Sequence, residues 1–189
     1  MHAPRQHVRT WLVGATLAAL AAAQAGGAEA PFARPGLITS VGQSSDIAVV
    51  KVLLNTKLKL GLEVKPLAQA EDLQDMKTLV VVVGSSTKGL GAAGLDMDQE
   101  VARTRALLKA AREHGMKILA MHTGGESRRG RTTNDLLAIV VPVADRVVVV
   151  AGGNKDGIFE TLAGESGPVV VEVESLAAAG DAVRAAFAD

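Results

Sequence analysis

The chain has 189 residues, 48% hydrophobic and 21% charged, the composition of one globular domain with a real core and not of a disordered tail. Its 20 basic residues balance 20 acidic ones, so no global field draws it to nucleic acid, and no nucleic-acid partner is expected. Cysteine is absent, which excludes a lipobox, disulfides and thiolate metal sites together.

The chain begins with a basic stretch holding His2, Arg5, His7 and Arg9, followed by an apolar, alanine-rich run over residues 11–23. Small residues come next, with A-x-A at 23–25 and G-x-A at 26–28. That order is the pattern of a secretory signal peptide. The expectation is a signal peptide over 1–25, a linker over 26–35 and a single α/β domain over 36–189. An uncleaved N-terminal anchor is the alternative, since a short apolar run can sit in a membrane when its flanks help. Cleavage would remove Arg5 and Arg9 and no acid, leaving 18 bases against 20 acids. No later apolar run approaches membrane-spanning length without charges. The mature chain is therefore expected to be periplasmic or secreted, without membrane insertion.

Residues 36–40 read as a first strand ending in the polar loop of Val41, Gly42, Gln43 and Ser44. Ser45 is placed to cap a helix with Asp46 in its first turn. That helix is apolar on most sides and is expected to run to about Lys59, with Gly61 near its end. A second strand begins at Leu62, alternates apolar and charged residues, and is closed by Pro66, which suits a sheet edge. The third strand, 78–83, is Thr-Leu followed by four valines, apolar on both faces and so central. A glycine-rich loop follows to Asp96, which with Gln99 makes a capping box for a helix over 97–114. Residues 117–121 form the fourth strand, leading into a loop from His122 to Arg131. A helix capped by Thr133 or Asn134 stops near Pro142. The fifth strand, 146–150, is again apolar, a short helix follows over 157–163, and the sixth strand, 169–173, alternates at Glu172. Ser175 caps the last helix.

Strict strand–helix alternation predicts a Rossmann-like (flavodoxin-like) three-layer α/β domain with a mostly parallel sheet of about six strands. The half-polar second and sixth strands belong at the edges, and the order 2-1-3-4-5-6 satisfies this. Ligands of such sheets bind outside the C-terminal strand ends, where the winding reverses between strands one and three.

Several patterns point to chemistry and are weighed against plainer roles. Residues 89–94 spell G-x-G-x-x-G, but five residues separate them from the strand and no acid ends the following strand, so dinucleotide binding does not follow. Lys88 precedes its glycine and no G-K-[ST] end is present, so the loop is not a P-loop. No cofactor is expected. His122 fits either a hydrogen-bonded core histidine or, with Glu126, a metal ligand pair too small to make a zinc site. No G-x-S-x-G elbow supports Ser–His catalysis. Arg128, Arg129 and Arg131 are a solvated loop unless one turns inward to hold an anion. Taken together, the loops at one sheet end offer Gln43, Ser44, Ser45, Ser85, Ser86, Lys88, His122, Arg128, Asn154 and Lys155. Hydroxyls and cations outnumber acids there and aromatics are missing, which suits a small anionic or polar molecule.

The segments G-S-S-T-K-G-L-G-A-A-G (84–94), H-T-G-G-E-S-R-R-G (122–130) and G-N-K-D-G (153–157) resemble a family of exported bacterial proteins classed as a domain of unknown function. The similarity extends from Gly36 to Phe187. It implies a signal peptide and one α/β domain, and brings no catalytic residues with it. The functional expectation is small-ligand binding at the C-terminal strand ends. A module docking on an envelope protein partner or transporter, and a hydrolase-type enzyme using His122, are the alternatives.

Overall fold

The computed structural model describes residues 32–150 and 152–187; the expected signal peptide and residues 26–31 of the expected linker lie outside them. Six parallel strands form one sheet in the order β2-β1-β3-β4-β5-β6, the predicted order. They are β1 (Gly36–Val41), β2 (Glu63–Val64), β3 (Thr78–Val83), β4 (Lys117–His122), β5 (Arg146–Val150) and β6 (Val169–Val173). Of the four interior strands, β3, β4 and β5 are nearly continuous apolar runs because both faces are covered.

Helix α1 (Asp46–Lys51), the turn that continues it and α6 (Leu176–Ala186) cover one face, packing Val50, Leu53, Ala179 and Val183 against Ile38, Val80, Val82 and Met121. On the other face, α3 (Met97–Glu113), α4 (Arg131–Val140) and α5 (Ile158–Ala163) bring Leu107, Leu108, Leu136 and Phe159 to Leu37, Val81 and Ala120. Alternate residues of each strand thus enter different cores, the period-2 consequence of a pleated sheet.

Local signals place several ends where the sequence puts them. Asp96 accepts from the Gln99 N–H at 2.8 Å while Gln99 Oε1 accepts from the Asp96 N–H at 2.9 Å, the reciprocal pair that starts α3. Ser175 caps α6 through the Ala178 N–H. Other ends differ. The first helix continues from α1 as one wide π-turn segment, Val52–Lys57. The glycine-rich segment after β3 is not a loop throughout: Ser86 accepts from the Gly89 N–H and starts α2 (Thr87–Ala92). Two glycines in six helical residues hide it from a propensity reading.

Residues 32–35, in the stretch assigned to the linker, are tied to the domain. Phe32 is buried, stacks on Phe187 at 5.8 Å and donates its N–H to the Ala186 carbonyl, and Ala33 exchanges two hydrogen bonds with Thr78 Oγ1. No described helix is long and apolar enough to cross a membrane.

Candidate functional site

The C-terminal ends of β1 and β3 carry the loops that the sequence singles out, and those loops are laced together. The Gly84 N–H donates to the Val41 carbonyl, the Ser44 N–H to Gly84, and the Ser86 N–H to Gly42. Gln43 and Ser85 form an antiparallel bridge across the gap. Glycines allow this closeness. Gly42 has φ +92°, and a Cβ on Gly89 would overlap the Gln43 carbonyl oxygen. The pairing explains Gly89, which lets α2 lie on the Gln43 loop; Gly91 and Gly94 have no neighbour that a Cβ would meet, and Gly94 has φ +69°.

Beneath the crossing lies an ion pair that no sequence pattern announces. Glu100 and Arg103, on α3, are buried at 0% and 6% exposure. Glu100 Oε1 accepts from the Gly42 N–H at 2.7 Å, from Arg103 at 2.8 Å and from Gln43 Nε2 at 3.1 Å, and its Oε2 accepts from Arg103 Nε at 2.8 Å. Arg103 also donates to the Ser40 and Ala68 carbonyls at 2.6 and 2.8 Å. Burial pushes the Glu100 carboxyl up, but hydrogen bonds from Arg103 and Gly42, the Arg103 charge and Gln43 outweigh it and hold the group below its ordinary value. Gln43 is thereby turned toward α3. It braces the site's floor.

The remaining predicted residues divide. Ser44 is buried and its Oγ accepts from the Asp46 N–H, while Ser45 is exposed and makes no side-chain cap. Ser85 donates its N–H to Thr133 Oγ1, which brings the uncapped N-terminus of α4 to the end of β3. Ser86 is occupied as the cap of α2. Lys88 and Arg128 are exposed at this end. The stem of Arg128 covers Gly124 so closely that a Cβ there would overlap it.

His122 is fully buried. Its Nδ1 lies 2.9 Å from the Val83 carbonyl and its Nε2 3.4 Å from that of Gly125, with the ring packed against Phe159 at 5.8 Å. Asn154 is likewise structural, donating to Glu160 and Glu172 and accepting the Phe159 N–H. Lys155 pairs in the open with Glu126 at 2.8 Å; that hydrogen bond and the neighbouring charge raise the lysine and lower the carboxylate. The inward arginine of the 128–131 loop is Arg129. It donates to Asn134, the Gly153 carbonyl and Asp156, and lies 5.5 Å over the Phe159 ring. The cleft of about 90 Å3 beside it is lined by Glu126, Arg129, Lys155 and Asp156, whose charges already answer one another. Among the described residues no three His, Asp or Glu side chains group to hold a metal.

Two buried side-chain atoms at this end have no hydrogen-bond partner, the Ser40 hydroxyl near the end of β1 and one oxygen of the Asp46 carboxylate. Asp46, at the start of α1, is 8% exposed, and its Oδ2 is buried without a hydrogen-bond partner. It stands at the tips of β3 and β4, 3.2 and 3.3 Å from where a Cβ on Gly84 or Gly124 would be. The sequence presents this residue as a favourable first-turn acid and nothing more. The available signal was its position, three residues past Gln43 on the first strand's loop.

A family model described as a domain of unknown function, DUF6305, matches residues 33–187. The chain belongs to that family. The match takes in nearly all of the described residues, from Ala33 to Phe187. No curated protein matches the chain. Among solved structures, the YdjI aldolase from Escherichia coli K12 is 11% identical over 79% of this chain and 75% of its own, with a TM-score of 0.24. A likeness at that level carries no argument about activity.

Proposed function

We propose that this DUF6305 domain binds a small polar molecule at the C-terminal ends of β1, β3 and β4. The observation that carries the proposal is the Asp46 carboxylate oxygen, buried and unpartnered beside Gly84 and Gly124. A buried acceptor left unpaired costs about 1–3 kcal/mol, so such a group calls for an explanation, and the proposal is that a ligand completes it. The ligand therefore offers a hydrogen-bond donor, a hydroxyl or ammonium, to Asp46. A negative end would meet Lys88 and Arg128, which stand exposed around the same loops. Binding is favoured over hydrolysis because both nitrogens of His122 face backbone carbonyls and neither meets a serine.

Calorimetric titration of the full chain with small amino acids, hydroxy acids, and dicarboxylates lacking a donor tests this. Donor-bearing acids bind and plain dicarboxylates do not. Asp46→Asn and Lys88→Met each weaken binding by about tenfold or more, the cost of a charge-assisted bond. Equal binding to wild type and Asp46→Asn overturns the proposal, as does silence across the panel. Export is part of the same proposal and rests on the pattern of residues 1–25: the mature chain starts between residues 26 and 31 and is released by osmotic shock, whereas full-length chain in the membrane pellet refutes it.

A further inference from the structure

A second concave surface lies away from the strand-end site, between α1 with its π-turn continuation and α6. Both helices follow strands of one parallel sheet, so they run side by side in the same direction. Their register is set where Gly180 meets Leu53: a Cβ on Gly180 would stand 2.9 Å from Leu53 Cδ1. One turn earlier come Val49 and Leu176, and one turn later Lys57 and Arg184. All of them line a groove of about 640 Å3, inside the roughly 300–1,000 Å3 of small-molecule sites.

The groove is polarised along its length. Buried Gly180 keeps its floor low, and the exposed Ala48 and Ala177 leave its rim open. Val49 and Val52 stand exposed at 42% and 49% along one wall, two of only four large hydrophobic residues exposed in the described chain. At the far end stand Lys57 and Arg184, both exposed, against the single acid Asp181. From Leu176 to Arg184 the trough is about 12 Å long at the helical rise.

We propose that this groove binds one fatty-acid anion, its alkyl chain along the valine wall and its carboxylate between Lys57 and Arg184. The apolar body and cationic end match that ligand's two parts. A trough about 12 Å long is by itself far smaller than the surface of about 800 Å2 that each partner buries in a stable dimer. Two valines also fall short of the aromatic anchors on which protein interfaces depend. The proposal is independent of the Asp46 site and stands or falls separately.

The test is titration calorimetry of the full chain with dodecanoate below its micelle concentration, alongside octanoate, decanoate, dodecanol and dodecyltrimethylammonium. Dodecanoate binds, and affinity falls two- to fourfold for each methylene removed, up to the value for complete burial. Lys57→Gln with Arg184→Gln weakens dodecanoate about tenfold and leaves dodecanol unchanged. Val49→Ser with Val52→Ser, both at exposed positions that leave the fold intact by circular dichroism, weakens both ligands. Dodecanoate binding that survives the valine substitutions places the alkyl chain elsewhere and overturns the proposal. So does preferential binding of dodecyltrimethylammonium, or no binding at all. Sedimentation velocity adds one more arm: a dimer that the valine substitutions dissolve and dodecanoate does not would assign the groove to a second copy instead.

Discussion

Replacing Glu100 by glutamine is the sharpest probe of how the strand-end site is held. The side chain is fully buried and bonded to Gly42, Gln43 and Arg103. Glutamine keeps the shape but turns a donor toward Arg103 Nε, leaving a buried guanidinium without its counter-charge. Breaking one side of a buried pair costs about 3–5 kcal/mol. The amide oxygen keeps the Oε1 position and with it the bond from the Gly42 N–H, so the loss is that of the charge and of the Arg103 Nε bond alone. Glu100→Leu with Arg103→Leu separates the two contributions. It removes both charges, yet leaves the Gly42 N–H and the Ala68 carbonyl without their side-chain partners, each worth about 1–3 kcal/mol when buried. The double variant therefore stays destabilised, whereas an ion pair with no backbone duties would return to wild-type stability. Urea unfolding followed by circular dichroism reads both, through a shifted midpoint at unchanged slope. A midpoint for Glu100→Gln within about 0.5 kcal/mol of wild type refutes the reasoning.

Further outcomes follow from the same contacts. Because Glu100 titrates below its ordinary value when folded, its contribution is complete above the unfolded carboxylate pKa of about 4.3. That contribution is lost as pH falls through the lower folded value, so acid titration of wild type and Glu100→Leu/Arg103→Leu shows the steeper loss in wild type. Asp46→Ala raises stability by about 1 kcal/mol, since relieving an unpaired buried acceptor outweighs the roughly 0.3–1 kcal/mol of helix-terminus charge, while it abolishes ligand binding; a loss of stability counts against Asp46 as a vacant ligand group. Gly89→Ala gains about 1 kcal/mol of helix propensity but drives a methyl into the Gln43 carbonyl, so its melting temperature falls. Arg129→Lys loses the planar fork that reaches Asn134, Gly153 and Asp156 and costs about 1.5–3 kcal/mol by thermal unfolding.

The sequence alone determined the sheet. Runs such as 78–83 and 146–150 are too uniformly apolar for anything but central strands, the polar alternation in 62–65 and at Glu172 sends their strands to the edges, and alternation with helices makes the sheet parallel. Caps at Asp96 and Ser175 were equally legible, because a cap is a contact between residues three apart. Only the tertiary structure decided which polar residues are free. Asn154, His122, Gln43 and Lys155 carry the side chains of a ligand site, yet each is answered by a partner distant in sequence or by a backbone group that no local pattern reveals. The choice of Arg129 over Arg128 as the inward arginine depends on Phe159 and Asp156, about 30 residues away. Asp46 reads in sequence as an ordinary helix-start acid. Its carboxylate became the unanswered group because the strand tips beside it end in glycine, and whether a buried charge finds a partner depends on all its neighbours in space.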